Sequence, residues 1–116
     1  MRNITASAYH RLVGKFDIVV RPAARQDLKA IYNWISERAS PAIAITYVRR
    51  IQSSYDALSD FPERGTRRDH LMTGLRTFGI DRRVTIAFRI DGSSVVILRI
   101  LYGGRDLEGA IAEEKD

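Results

Sequence analysis

Arg82-Arg83-Val84-Thr85-Ile86-Ala87-Phe88-Arg89-Ile90-Asp91-Gly92-Ser93-Ser94-Val95-Val96-Ile97-Leu98-Arg99-Ile100-Leu101-Tyr102-Gly103-Gly104-Arg105-Asp106 decides the fold of this chain. Two runs rich in β-branched and aromatic residues flank Asp91-Gly92, a turn signal. That pattern spells a β-hairpin. Arginines recur inside the strands, at Arg83, Arg89 and Arg99. A buried guanidinium is costly unless it is paired, so these side chains belong on a face that is not core. Side chains alternate faces along a strand. Val84, Ile86, Phe88 and Ile90 share one face of the first strand, and Arg83, Thr85, Ala87 and Arg89 the other. On the second strand Val96, Leu98, Ile100 and Tyr102 alternate with Val95, Ile97, Arg99 and Leu101. A two-residue Asp91-Gly92 turn puts Arg99 beside Phe88, on the apolar face. A three-residue loop groups Arg99 with Arg83 and Arg89 and leaves the other face wholly apolar. A slip of one residue moves every side chain to the wrong face, so the charge pattern predicts the longer loop. The expected sheet has one core face and one arginine-bearing face.

Toward the N-terminus, Leu75-Arg76-Thr77-Phe78 begins another strand, and Glu63 to Gly74 reads as a polar loop. Before it, Ser40-Pro41 is a strong helix start, a capping hydroxyl followed by Pro at the first helical position. Ala44, Tyr47, Val48, Ile51, Tyr55 and Leu58 form the stripe of that helix. Phe61-Pro62 stops it, because Pro disfavours helical geometry in the preceding residue. An earlier helix opens at Arg21-Pro22 and runs to about Arg38, with Ala24, Leu28, Ile31, Tyr32 and Ile35 at helical spacing. The short connection predicts an antiparallel helix hairpin. Phe16-Asp17-Ile18-Val19-Val20 is a short strand. Residues 1–15 show no clear period and are expected to be an N-terminal extension to a single domain over 16–116. Leu107 to Glu114 is expected to be a short helix or tail. The order is strand, helix, helix, strand, strand, strand. The last three strands form an antiparallel meander whose apolar face the helices cover, a two-layer α+β domain.

The chain has 116 residues, enough for one domain and hardly for two. No apolar run approaches a membrane span, and Met1 to Lys15 lacks the apolar centre of a signal peptide. With no cysteine there is no disulfide framework or thiolate chemistry. A cytoplasmic location is the expectation. Net charge is +5, carried almost wholly by arginine; the lysines are Lys15, Lys29 and Lys115. Solubility and surface salt bridges account for part of this excess. Its clustering in the second half, from Arg64 to Arg105, points to an anionic partner such as RNA, DNA or an acidic protein.

Other chemistries lack their residues. Gly103-Gly104 is too short for a phosphate loop and has no Lys-Ser/Thr after it. Asp17, Asp27, Asp56 and Asp60 show no metal spacing, and two histidines without cysteine make a zinc site improbable. No metal or cofactor is expected. Trp34 falls beside the first helix stripe, where packing at the hairpin is its plain role.

In joint order and spacing, several segments resemble the ParE/RelE superfamily of bacterial type II toxins, and ParE toxins most closely. They are Val20-Arg21-Pro22-Ala23-Ala24-Arg25-Gln26-Asp27-Leu28, Leu58-Ser59-Asp60-Phe61-Pro62-Glu63-Arg64-Gly65 and Gly74-Leu75-Arg76-Thr77-Phe78. The strongest is Phe88-Arg89-Ile90-Asp91-Gly92, leading to Ile97-Leu98-Arg99-Ile100-Leu101-Tyr102-Gly103-Gly104-Arg105-Asp106-Leu107. The resemblance implies a RelE/ParE-like fold and a toxin neutralised by a small antitoxin. ParE-like members poison DNA gyrase, whereas RelE-like members cut mRNA on the ribosome. Cutting RNA needs a base, a proton donor and cations at the phosphate. Arg76 matches the family arginine on the second strand, and Arg105 the arginine just after the last strand. The tail after Arg105 holds neither Tyr nor His. Tyr102, where ParE members often carry His, and His70 in the polar loop are the remaining proton-transfer candidates. A catalytic set would be Arg76, Arg105 and Tyr102. The missing terminal donor favours instead a non-enzymatic toxin that traps gyrase. Its expected target-binding residues are Arg76, Arg83, Arg89, Arg99 and Arg105. A ParD-like antitoxin with an acidic segment is expected to wrap the helix hairpin, anchored on Tyr32, Trp34, Tyr47 and Tyr55.

Overall fold

Ser40 begins the longer helix as its chemistry dictates: its Oγ accepts a hydrogen bond from the Ile43 N–H at 3.1 Å, and Pro41 fills the first helical position. Arg21 offers no side-chain cap to the earlier helix, whose start rests on the pre-set backbone of Pro22. The structure, a computed structural model, describes residues 15–114. In chain order the elements are β1 (Asp17–Val20), α1 (Pro22–Arg38), α2 (Pro41–Asp60), β2 (Thr66–Arg67), β3 (Arg76–Ile80), β4 (Val84–Asp91), β5 (Ser94–Tyr102) and α3 (Leu107–Glu114). Apart from Lys15, the expected N-terminal extension lies outside the described residues. Lys15 itself is tied to Asp60 at 2.8 Å.

The expected α+β arrangement is present, with a wider sheet. Five strands lie in the order β1-β5-β4-β3-β2. The meander β3-β4-β5 is antiparallel, and β1 adds to β5 in parallel, from Asp17↔Ser94 to Val20↔Ile97. The stretch expected to be only a polar loop contributes β2, which pairs Thr66 with Thr77 and Arg67 with Arg76. Gly65, at φ +80°, makes this approach possible, since a Cβ there would run into the Thr77 carbonyl oxygen.

Helices α1 and α2 bury Ala24, Leu28, Ile31, Ile35, Ala44, Val48, Ile51 and Leu58 against Ile80, Val84, Ile86, Phe88, Val95, Ile97 and Ile100. Each large side chain fully removed from water contributes about 1.5–3 kcal/mol, so this layer carries the stability of the domain.

The hairpin register corrects the sequence expectation in an instructive way. Asp91 pairs with Ser94, so the loop is Gly92-Ser93, two residues and not three. Gly92 sits at φ +61°, a conformation glycine adopts without steric cost. A bulge then shifts the register between Ala87, which faces Arg99, and Phe88, which faces Ile97, leaving Leu98 extra on β5. The bulge reverses the parity midway along the strand. Val95 and Ile97 enter the helix-covered core before it; Ile100 does so after it, with Tyr102 packed against the same cluster. The bulge thus takes Arg99 off the helix-covered face, a shift the sequence pattern had assigned to the turn.

The second correction concerns the opposite face. It is not an open arginine surface. Leu75, Ala87, Val96 and Leu98 form a smaller apolar cluster that Ile111 of α3 covers, with Leu71, Met72 and Leu107 around it. Nor are the arginines gathered there. Arg76 shares the pleat of Phe78 and Ile80, on the helix side, whereas Arg89 shares that of Ala87. Arg99 is only 9% exposed.

Candidate functional site

Arg99 shows how this fold accommodates a cation in a buried strand. Its Nε donates to Asp27 Oδ2 at 2.7 Å and its Nη2 to Asp27 Oδ1 at 2.9 Å, a two-pronged pair between β5 and α1. Its Nη1 donates to Glu113 Oε1 at 3.1 Å and to the Ala110 carbonyl at 3.5 Å, which reaches α3. The hydrogen bond to Asp27 and the carboxylate charge raise its already high pKa. Asp27 Oδ2 also accepts the Ile100 N–H at 2.8 Å. The partner strand β1 ends opposite Ile97. Asp27 therefore takes over at the strand edge where the ladder stops. All three elements meet at this guanidinium, so it is part of the framework, not of an exposed target-binding surface. Sequence reading passed over Asp27 because it sought metal spacing. The available signal was an acid beside the Leu28 stripe and a lone arginine in a strand otherwise apolar.

The remaining expected site residues divide between two ends of the sheet. Arg76 pairs with Phe88 across β4, and Tyr102 with Val84. Four residues of strand separate those positions, about 13 Å at ~3.3 Å per residue. Arg76 donates to the Arg64 carbonyl at 3.4 Å. Arg64 in turn lies over the Phe78 ring, 5.1 Å from its centroid, and Arg68 Nε donates to Thr77 Oγ1 at 3.3 Å. Arg64, Arg68 and Arg76 have no carboxylate partner among the described residues. On the other face at this end, Arg89 and His70 line a cleft with Met72 and Glu114. The adjoining Asp69 carboxyl is held down at about 2 by hydrogen bonds from Arg67 and the Gly74 N–H. Neither Arg76 nor His70 stands with Tyr102 and Arg105. The expected catalytic set is therefore not assembled.

Tyr102 and Arg105 lie at the opposite end. Tyr102 takes the expected core-face position, tilted against Trp34 at 5.2 Å between ring centroids and edge-on to Tyr47 at 6.1 Å. Arg38 sits over the Trp34 ring at 4.2 Å. Between α1 and the end of β5, Trp34, Ala30, Ile31, Tyr102, Gly103 and Arg105 line a cleft of about 390 Å³ together with Asp27. The β3-β4 turn borders the same end, because the Gly103 N–H donates to the Arg83 carbonyl at 2.7 Å. Asp81 and Arg82 hold positive φ, 54° and 60°. Asp tolerates this region; Arg does not, and the strain is of the order of 1 kcal/mol. Arg50 Nη2 on Asp81 Oδ1 at 2.7 Å pins the turn to α2. Arg82→Gly is therefore expected to raise unfolding stability by about 1 kcal/mol in a urea titration, since glycine meets the same φ without strain.

Of the four expected antitoxin anchors, Trp34 is exposed at 44%. Tyr32, Tyr47 and Tyr55 are half-buried against the core. The hydroxyls of Tyr47 and Tyr55 are buried without a hydrogen-bond partner among the described residues, and burial raises the pKa of both. Among the described residues no cluster of three or more His, Cys, Asp or Glu could hold a metal ion, and no helix is long and apolar enough to cross a membrane.

Comparison with known proteins matches this geometry to a family. The family model described as ParE toxin of type II toxin-antitoxin system, parDE, matches residues 18–107. The match stops where α3 begins, so the helix that reaches Arg99 lies beyond it. Toxin ParE3 of Caulobacter vibrioides is 34% identical over 88 residues, covering 76% of this chain and 87% of that protein. The fold is similar to the chromosomal ParDE system of P. aeruginosa, with TM-score 0.68 and 26% identity over 78% of this chain and 98% of that one. It is more distantly similar to the RelBE2 toxin-antitoxin complex of Mycobacterium tuberculosis, with TM-score 0.50 and 22% identity over 76% of this chain and 98% of that one, which speaks to fold alone. With its hairpin, sheet order and family match over most of its length, the chain belongs to the ParE toxins of type II toxin–antitoxin systems.

Proposed function

We propose that this ParE-family toxin acts in the cytoplasm by binding DNA gyrase and trapping it on DNA, and that a ParD-like antitoxin with an acidic segment neutralises it. The observation that carries this reading is the family match over residues 18–107 on a chain whose candidate catalytic groups stand at opposite ends of the sheet. A toxin that does no covalent chemistry needs a contact surface and not a proton relay. Exposed and half-buried arginines without carboxylate partners among the described residues supply one: Arg76, Arg83, Arg89 and Arg105 are the proposed target-binding residues. Arg99 leaves that set because Asp27 and Glu113 occupy its guanidinium. The antitoxin gains speed from the net charge of +5 and area along the helix hairpin. Along that hairpin Tyr32, Tyr47 and Tyr55 are half-buried and leave part of their rings exposed.

The test is induction of the chain in bacterial cells, with and without its antitoxin. Induction of the DNA-damage response and broken chromosomes, both suppressed by co-expressed antitoxin, are the expected result. Cleaved mRNA with intact chromosomes would establish the RelE-like ribonuclease instead.

A further inference from the structure

The end of the molecule that carries Trp34 combines three features. The first is an apolar cleft with an exposed aromatic wall. Trp34 is 44% exposed, Ala30 and Ile31 supply aliphatic surface, and Gly103 adds no side chain to the cleft. The second is a group of cations at this end. Arg105 lines the cleft, and Arg82 and Arg83 belong to the β3-β4 turn that borders it; all three are exposed and have no ion pair among the described residues. Arg38, paired with Glu37 at 4.0 Å, lies over the indole at 4.2 Å. The third is strain: two non-glycine residues, Asp81 and Arg82, are held at positive φ beside this end. Backbone strain of this kind persists where the surrounding structure fixes it, and it clusters at functional sites.

We propose that this cleft docks an acidic segment of the toxin's target protein. One aromatic or long aliphatic side chain of that segment sits against Trp34, and its carboxylates engage Arg82, Arg83 and Arg105. The inference deepens the target-binding reading above and rests on it for the source of the segment.

Charge complementarity sets the sign of the occupant, because a rim of unpaired guanidiniums favours anions and most of all carboxylates or phosphates. The cleft decides between a peptide and a nucleic acid. A base needs partners for its polar edge and a free ring face to stack on. The acid in the lining, Asp27, has both oxygens engaged by Arg99 and the Ile100 N–H. Arg38 already covers part of the Trp34 ring. What remains for a ligand is aliphatic and aromatic surface, which suits an apolar side chain. A single anchor in a desolvated pocket surrounded by charges is the usual form of a small binding hot spot. The site is also compact and pre-set by the pinned turn, which fits engagement of a folded target. A neutraliser wrapping the hairpin gains its area along the helices.

Trp34 is the sole tryptophan in the sequence, so its fluorescence reports on the cleft directly. The purified full chain is titrated with a dodecapeptide of Asp and Glu carrying one central Phe. A saturable change in emission is expected, weakened at least tenfold by Ala30→Leu, which fills the cleft, and at least tenfold by the triple variant Arg82→Gly/Arg83→Ala/Arg105→Ala. Replacing the peptide Phe by Ser is expected to cost a similar factor. Circular dichroism confirms that each variant is folded. In cells, Ala30→Leu is expected to raise survival after induction at least a hundredfold while the chain still co-purifies with its antitoxin. Equal binding of the Phe and Ser peptides, or tighter binding of a twelve-base oligo(dT), overturns the proposal. Loss of antitoxin binding with toxicity intact also overturns it and gives the cleft to the antitoxin. A chain that proves harmless to cells would sink the gyrase reading, whereas the peptide titration decides the cleft by itself.

Discussion

Asp27→Ala is expected to cost the fold about 3–5 kcal/mol, the range seen when one partner of a buried ion pair is removed. Both members of the pair have side chains only 11% exposed. Removing the carboxylate strands the Arg99 guanidinium between α1 and α3, and it orphans the Ile100 N–H, which then has no acceptor at the strand edge. Glu113 cannot take over. Its side chain is 74% exposed, and a single contact of that kind contributes well under what is lost. Chemical denaturation with an unchanged dependence on denaturant measures the effect. The double variant Asp27→Leu/Arg99→Met is expected to recover much of the loss, because neither a charge nor an unpaired donor on the side chains is then buried. A double variant as unstable as Asp27→Ala would show that the ion pair is not the source of the effect.

Phe88→Ala is expected to be as damaging, about 3–5 kcal/mol. Phe88 is 0% exposed and sits in the helix-covered core at the register shift, paired with Ile97 on one side and Arg76 on the other. A cavity there cannot collapse easily, since the bulge and both flanking strands fix its walls. Phe61→Ala is the internal comparison. Phe61 is 71% exposed where α2 ends, and its truncation is expected to change stability by no more than about 0.5 kcal/mol. Toxicity should follow stability in the first case and remain in the second. Thermal denaturation of both variants, with growth arrest scored on induction, checks the pair.

The elements themselves were legible in the chain. Ser40-Pro41 and Phe61-Pro62 bound α2 within a residue, and the Ala24, Leu28, Ile31 and Ile35 spacing gave the buried face of α1. These are local effects: a cap, a fixed φ, a helical period. The meander followed from alternating β-branched runs, and the position of Tyr102 on the core face was correct. β2 was not legible, because two exposed residues in a polar stretch carry no period; only the approach allowed by Gly65 makes them a strand.

The candidate site divides in the same manner. Composition and motif order determined that arginine would matter and that the chain resembles ParE toxins. Which arginines face outward was a tertiary decision. Arg99 and Arg89 lie ten positions apart in similar strands, yet one is enclosed by Asp27 and Glu113 and the other opens onto a cleft. The parity of β5 turns on a bulge at Leu98 that no residue type announces. An acid 72 positions away in sequence settles the fate of Arg99. Sequence fixes what lies within one turn or one pleat of a residue, because those interactions are local. A guanidinium becomes framework or surface according to which carboxylate the packed elements bring within hydrogen-bond reach, and that is known only once they are packed.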